Sequence, residues 1–141
     1  MGALLDTNVV LDALARREPW YRDANDLLTL AAWGKVDLAV SGSTVTDIYY
    51  LVNKRVYHDR ERSLHVIRTL LDSLSVVNVG FEECFIAAYS GMGDLEDAVV
   101  AQAAKNAGLD YIVTRNGEDF AGGPVPTITP HAYLELVAPG S

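Results

Sequence analysis

The chain has 141 residues, half of them apolar and 21% charged, with a formal net charge of −8. This composition is ordinary for one globular domain with its own core. It excludes a membrane span, a disulfide framework and a cysteine-rich zinc site, because no apolar run is long enough and Cys84 is the only cysteine. The acidic balance argues against a general nucleic-acid-binding protein, and we expect a cytoplasmic chain without a membrane segment.

Short apolar strands alternate with helices along the chain. We predict strands over 2–5, 36–40, 76–79, 111–114 and 125–128, and helices over 8–17, 21–33, 44–56, 59–74, 81–90, 94–107 and 130–137. Strands joined through helices form a parallel sheet that is covered on both faces. The sequence therefore predicts a single α/β domain over 1–137, a three-layer α/β/α sandwich with a central parallel sheet, and a frayed tail over 138–141.

Acidic side chains recur where the predicted strands end and the next helices begin. Asp6 follows the first strand, Asp47 lies in the first turn of a helix, Asp97 lies near another helix start, and Asn116 and Asp119 follow the strand over 111–114. Ligands of open α/β sheets bind outside the carboxyl ends of the strands. Clustered carboxylates repel each other unless some protonate or a cation joins them. Oxygen ligands suit Mg²⁺ or Mn²⁺, which can activate water against a phosphodiester.

Each of these residues also has a structural alternative. Asp6 and Asp94 could cap the helices that follow them, because Asp is a favoured N-cap residue. Asp47 could complement a helix dipole, and Asn116 could belong to a plain turn. We prefer Asp97 to Asp94 as a ligand, because Asp97 heads a helix face that continues with small residues, namely Ala101, Ala104 and Gly108.

Two further patterns concern charge and the single thiol. Residues 54–68 carry five basic and two acidic groups, whereas residues 69–141 carry two basic and ten acidic groups. The basic stretch is typical of a solvated helix face, and it is also a candidate contact for an anionic partner. The spacing of Asp12 and Arg16 predicts an exposed ion pair, and the apolar neighbours of Cys84 predict a buried thiol.

Three segments together resemble the PIN domain family: LLDTNVVLD at 4–12, DLEDA at 94–98 and VTRNGEDF at 113–120. Their order and spacing match over nearly the whole chain, and the chain is most similar to the short VapC-like toxin ribonucleases of toxin–antitoxin pairs. The resemblance implies a Mg²⁺-dependent endoribonuclease, with Mn²⁺ as an alternative ion. It also implies a homodimer and a small antitoxin protein that blocks the cleft.

The resemblance also implies roles for individual residues. Asp6 and Asp97 match the principal metal ligands, and Asp119 matches a further acidic ligand. Thr7 and Asn8 match a polar pair that orients the first acid. Two positions depart from the family pattern: Asp47 stands where Glu is usual, and Asn116 stands where an acid is common. Both departures put a second metal ion in question. Candidate contacts for the RNA backbone are Arg55, Arg60, Arg62, Arg68 and Arg115.

The leading hypothesis is therefore metal-dependent hydrolysis of RNA, in which Asp47 completes the ligand shell or orients the water. A catalytically silent PIN-fold module that binds RNA or protein is the alternative, because a fold does not guarantee chemistry. A phosphoryl-transfer enzyme with an aspartyl nucleophile is a third hypothesis. It is disfavoured because Asn8 stands at the position of its second acid and Arg115, rather than a lysine, follows the later strand.

Overall fold

A computed structural model of the chain describes residues 1–138, so residues 139–141 of the predicted tail lie outside the described residues. The strands are β1 (Ala3–Leu5), β2 (Leu38–Ser41), β3 (Ser75–Val77), β4 (Tyr111–Val113) and β5 (Thr127–Ile128). The helices are α1 (Thr7–Leu14), α2 (Tyr21–Ala32), α3 (Gly42–Val52), α4 (Arg60–Ser73), α5 (Phe81–Ala88), α6 (Leu95–Asn106) and α7 (Pro130–Val137). A π-helical turn (Asn53–Tyr57) extends α3, and a 3-10 turn (Gly117–Phe120) follows β4.

The five strands form one parallel sheet in the order β3-β2-β1-β4-β5, which confirms the predicted fold class. The central strand β1 pairs with β2 on one side and with β4 on the other. Because all strands are parallel, the carboxyl ends of β1, β2 and β4 lie at the same edge. Residues that follow these three strands are thereby brought together.

Alternate residues of the central strand face different cores, which is the pleat of a sheet buried on both sides. Ala3 and Leu5 belong to the core beneath α1, α2, α3, α4 and α7, whereas Leu4 belongs to the core beneath α6. Helix α6 contributes Ala101 and Ala104 to its core, both fully buried. Ala101 and Ala104 are two of the small residues that follow Asp97 on one helix face, and this face of α6 packs on the sheet.

Helix α3 begins two residues earlier than predicted. The reason is Ser41, at the end of β2, whose hydroxyl oxygen accepts a hydrogen bond from the N–H of Thr44 at 3.3 Å and so caps the helix. Asp47 consequently lies in the second turn of α3 and not in the first. The prediction of a first-turn acid was therefore wrong.

Helix α5 packs against α6 and leaves much of its own surface open. Cys84 on this helix is exposed, so the prediction of a buried thiol was wrong. The apolar neighbours on which that prediction rested, Phe85 and Ile86, are themselves exposed. Among residues 1–138, none of the helices combines the length and the apolar character that crossing a bilayer would require.

Candidate active site

Asp6 lies where the central strand ends and α1 begins. Its N–H donates to the carbonyl of Val113 at 3.0 Å, which extends the β1–β4 pairing, and its own carbonyl accepts from the N–H of Val9 at 3.0 Å. Asp6 occupies the N-cap position of α1, but its side chain makes no capping hydrogen bond. The carboxylate instead accepts a hydrogen bond from the hydroxyl of Thr114 at 2.9 Å.

Thr114 is a residue of this site that the sequence analysis did not single out. It follows β4 and is 1% exposed. Its hydroxyl donates to Asp6 and accepts from the N–H of Asn116 at 3.0 Å, so its rotamer is fixed from two sides. The signal for it was present: a polar residue ends an otherwise apolar strand next to a predicted acidic cluster.

The two acids at the start of α6 have different roles. Asp94 is the N-cap, and its Oδ1 accepts a hydrogen bond from the N–H of Asp97 at 2.9 Å, which confirms the capping interpretation. Asp97 lies three residues further along α6 and is half-buried, and the charge of Asp6 acts on its carboxylate. The preference for Asp97 over Asp94 as a ligand agrees with this placement.

Asp6, Asp97 and Asp119, called the acidic cluster below, interact electrostatically: the charges of Asp6 and Asp119 disfavour the ionised form of Asp97, and the charge of Asp119 disfavours the ionised form of Asp6. The pKa of Asp97 is raised from 3.8 to about 6. Burial is the largest cause, and the charges of Asp94, Asp6, Asp119 and Glu96 contribute the rest. Burial also raises the pKa of Asp6, and the charge of Asp119 adds to this. The Thr114 hydroxyl, the Thr7 N–H and the charge of Arg115 act in the opposite direction on Asp6. Carboxylates so arranged favour a bound cation.

The structure gives fewer side-chain contacts with the acidic cluster for the other predicted site residues. Thr7 contacts Asp6 through its backbone N–H, while its hydroxyl is paired with that of Thr44 at 3.1 Å. Asn8 is half-buried in the first turn of α1. Asp47 is half-buried on α3, and the charges that raise the pKa of Asp97 do not include it. The roles assigned to these residues remain predictions.

The acidic cluster fits a metal ion that keeps much of its water. Within residues 1–138, no three His, Cys, Asp or Glu side chains are arranged to hold a metal ion. Mg²⁺, however, is usually held by one or two carboxylates together with waters and substrate phosphate. Asp6, directly after β1, and Asp97, on α6, are two carboxylates that could hold such an ion, and the charge of Asp119 acts on both. The donors are all oxygen atoms, which suits a hard divalent ion.

Among the predicted RNA-binding arginines, Arg115 is the one whose charge acts on Asp6. The other four follow α3 or lie on α4. Arg62 stacks on the Tyr57 ring at 4.9 Å, and Arg60 pairs with Glu61 at 3.1 Å on the surface. Arg55 lines a groove, and Arg68 is exposed. Contact of any of these side chains with RNA remains a prediction.

Asp12 does not form the exposed pair with Arg16 that its spacing predicted. It is 1% exposed and pairs with Arg115 (Nε to Oδ2, 2.9 Å) and with Arg17 (Nη1 to Oδ1, 3.5 Å). Helix α1 ends at Leu14, and Arg16 then takes a left-handed φ of 52° and stacks on the Tyr21 ring. The early end of the helix is what prevents the expected pairing of residues four apart.

The raised pKa of Asp97 predicts an unusual pH dependence of stability. Between about pH 4 and pH 6 the folded chain binds more protons than the unfolded chain, so the free energy of unfolding falls as pH rises. We expect Asp97→Asn, without metal, to raise the Tm by a few degrees at pH 7 and to raise it less as pH approaches 4. Thermal melts across this range measure the difference.

The control for these melts is Asp72→Asn, which removes an exposed carboxylate from α4. This variant should track the wild-type chain at every pH. An Asp97→Asn chain that is no more stable than wild type at pH 7 would contradict the raised pKa of Asp97, which burial causes first and neighbouring charges second.

Comparison with protein-family models matches the PIN domain model to residues 2–118. No curated protein sequence matches the chain. The three segments noted above, 4–12, 94–98 and 113–120, lie within the matched range or end two residues beyond it. The match thus spans β1, α6 and β4, the elements that carry Asp6, Asp97 and Thr114.

Solved structures similar to the chain include toxin–antitoxin complexes. A complex from Klebsiella pneumoniae is 27% identical with a TM-score of 0.67, covering 91% of this chain and 97% of that chain. VapBC2 from Rickettsia felis, bound to a promoter DNA fragment, is 20% identical with a TM-score of 0.66, covering 92% and 98%. DNA-bound VapBC from Salmonella typhimurium is 19% identical with a TM-score of 0.66 and the same coverage. These likenesses support the fold derived above.

Proposed function

The chain belongs to the PIN domain family, and from that premise we propose that it is a Mg²⁺-dependent endoribonuclease, the toxin of a toxin–antitoxin pair. Mn²⁺ is the alternative ion. The observation that carries the proposal is the acidic cluster: Asp6 follows the central strand at the carboxyl edge of the sheet, and burial, the charge of Asp6 and the charge of Asp119 raise the pKa of Asp97. Such a cluster is costly to the fold unless an ion joins it, so a metal-dependent function explains its presence.

In the proposed mechanism, Asp6 and Asp97 would hold the ion, with Asp119 contributing from the 3-10 turn. A bound ion would supply charge neutralisation and a lowered pKa for water, the chemistry that hydrolysis of a phosphodiester at neutral pH requires. Thr114 fixes the Asp6 carboxylate through its hydroxyl, and the Thr7 N–H supports the same group. Asp47 on α3 and Asn116 after β4 would orient the attacking water or complete the shell of ligands.

The test is incubation of the purified chain with fluorescently labelled single-stranded RNA in Mg²⁺, in Mn²⁺ and in a chelator. We expect cleavage in one or both ions and none in the chelator. Readdition of the ion should restore it. An absence of cleavage with every ion and several RNA sequences would contradict the proposal.

A silent binding module remains the second candidate, and specific observations favour it. Asp47 is one methylene shorter than the Glu usual in the family, Asn116 lacks the acid common at its position, and no three-ligand metal arrangement is present within residues 1–138. Under this alternative, the same labelled RNA would be retained in a binding assay but would stay intact. The cleavage and binding assays together therefore separate the two functions.

A groove beside α1 is the surface that we propose for the antitoxin. Its lining is mainly apolar but includes two arginines: Leu11, Ala15, Arg17, Leu51, Arg55 and Val56. A partner segment with apolar side chains and carboxylates would complement both features. Arg17 also pairs with Asp12, whose other partner, Arg115, is close to the acidic cluster. A segment that fills this groove would contact Arg17 and so adjoin the Asp12–Arg115 pair.

The exposed face of α5 is the surface that we propose for the homodimer. Thirteen large apolar side chains are exposed in the described part of the chain, and seven of them fall between residues 76 and 95: Val76, Val79, Phe81, Phe85, Ile86, Tyr89 and Leu95. Phe81, Phe85 and Tyr89 stack in sequence along α5 at centroid distances of 5.5 and 5.3 Å. An apolar concentration of this kind is typical of a protein interface.

We expect Phe85→Glu to convert a dimer into a monomer, because it places a carboxylate in the centre of this aromatic stack and next to Glu82 on the same helix. Size-exclusion chromatography with light scattering measures the change. Trp33→Ser is the matched control, since Trp33 is 70% exposed at the end of α2, away from α5. A wild-type chain that is monomeric at all concentrations would contradict the homodimer.

A further inference from the structure

A buried ion pair connects α1 to the segment after β4, beside the acidic cluster. Asp12 on α1 is 1% exposed, and its two oxygens meet Nε of Arg115 at 2.9 Å and Nη2 at 3.4 Å. The Arg115 guanidinium also lies 3.8 Å from the centroid of the Trp20 ring. Arg115 is thus held along one edge by a carboxylate and on one face by an indole.

This arrangement leaves part of the guanidinium available. Asp12 engages Nε and Nη2, so Nη1 remains for another acceptor, and the Arg115 side chain is 22% exposed. Arg115 follows Thr114, the residue that donates to Asp6, and its charge acts on Asp6. A cation with free donors therefore lies at the rim of the acidic cluster.

We propose that Arg115 binds a phosphate of the RNA substrate next to the acidic cluster, and that Asp12 and Trp20 are positioning residues that hold its guanidinium for this contact. The inference rests on the proposed function and names a specific substrate contact within it. A planar guanidinium is suited to phosphate, and fixing it in advance removes most of the entropy cost of ordering an arginine side chain on binding.

The Asp12→Asn variant separates a positioning role from a general charge effect, because the two predict opposite changes in RNA affinity. Asp12→Asn removes a negative charge and brings the formal net charge from −8 to about −7, which by itself should strengthen RNA binding. If Asp12 positions Arg115, the same change frees the guanidinium and weakens RNA binding. If the ion pair is purely structural, Asp12→Asn lowers the stability of the chain, but the folded fraction binds RNA no more weakly than the wild-type chain does.

The experiment measures binding of fluorescein-labelled single-stranded RNA in Mg²⁺ at several salt concentrations, with cleavage of the same RNA followed in parallel. We expect Arg115→Gln to weaken binding about tenfold and to reduce the salt dependence by about 0.7 in the log–log slope, the share of one phosphate contact. Arg16→Gln is the matched control, because Arg16 is a neighbouring arginine that also stacks on an aromatic ring but has no contact with Asp12.

Trp20→Leu keeps the inference testable if Asp12→Asn does not fold, because Trp20 is 39% exposed and its loss changes no charge. We expect Asp12→Asn and Trp20→Leu each to bind RNA several-fold more weakly than the wild-type chain, with melting curves that remain cooperative. If the wild-type chain cleaves RNA but the Arg115→Gln and Arg16→Gln variants bind RNA with equal affinity, this inference alone is overturned. A wild-type chain that neither binds nor cleaves RNA would overturn the proposed function and this inference with it.

Discussion

Asp6→Asn and Asp97→Asn are each expected to reduce metal-dependent RNA cleavage by at least about 100-fold. Mutation of a residue that merely supports a metal ligand typically costs 10- to 100-fold, so loss of a ligand carboxylate should cost more. Asn keeps the size of Asp and removes its charge. Initial cleavage rates of labelled RNA in saturating Mg²⁺ measure the loss.

The matched control is Asp94→Asn on the same helix. Asp94 caps α6 through its side-chain oxygen, and Asn is as good an N-cap as Asp, so the helix should be preserved. The charge removed is the same, and its position is three residues away from Asp97. Activity of Asp94→Asn should stay within a few-fold of wild type. Equal losses for Asp94→Asn and Asp97→Asn would show that overall charge near the cleft, rather than a specific ligand, sets the rate.

The sequence carried enough information to predict that Asp6 lies at the carboxyl edge of the sheet. In a parallel sheet the carboxyl ends of all strands share an edge, so an acid after one strand lies at the same edge as the helices that begin there. The strand order β3-β2-β1-β4-β5 could not be predicted, because pairings between strands separated by long helices depend on packing across the whole chain. The central position of β1 is what places Asp6 in the middle of the site.

The prediction of an ion pair from residue spacing was wrong where the helix ended earlier than expected. Asp12 and Arg16 are four residues apart, but α1 ends at Leu14, so the expected pair is replaced by contacts of Asp12 with Arg115, 103 residues away. Such long-range pairs have no signature in sequence spacing. The prediction for Cys84 failed for a different reason. Apolar neighbours in the sequence are found both in a buried core and on an exposed apolar face, and Cys84 lies on an exposed face.

The hydroxyl of Thr114 illustrates how a supporting residue escapes sequence analysis. A threonine at the end of a strand has high β propensity, and this alone accounts for its presence. Only the structure places its hydroxyl between the Asp6 carboxylate and the N–H of Asn116. The carboxylates thus have a signal in the sequence, whereas the residue that orients Asp6 is recognisable only from its tertiary contacts.

Mg²⁺ is expected to raise the Tm of the wild-type chain, because an ion that binds only the folded state stabilises it by mass action. At a concentration one hundred times its Kd, the ion adds about 2.7 kcal/mol to the free energy of unfolding, which corresponds to several degrees in Tm for a chain of this size. Asp97→Asn should begin from a higher Tm at pH 7 without metal and gain little when Mg²⁺ is added. Thermal melts over a Mg²⁺ titration measure both.

Ionic strength is held constant with KCl in this titration, so that general screening of the acidic surface is the same in every sample. Asp94→Asn should retain the Mg²⁺-dependent gain, since its carboxylate is engaged in capping α6. An unchanged wild-type Tm up to millimolar Mg²⁺, or an equal gain in Asp97→Asn, would contradict ion binding at the acidic cluster. Because this measurement needs no substrate, it tests the metal site independently of the choice of RNA. A chain that gains stability from Mg²⁺ yet cleaves no RNA would retain the metal site and lose the proposed activity.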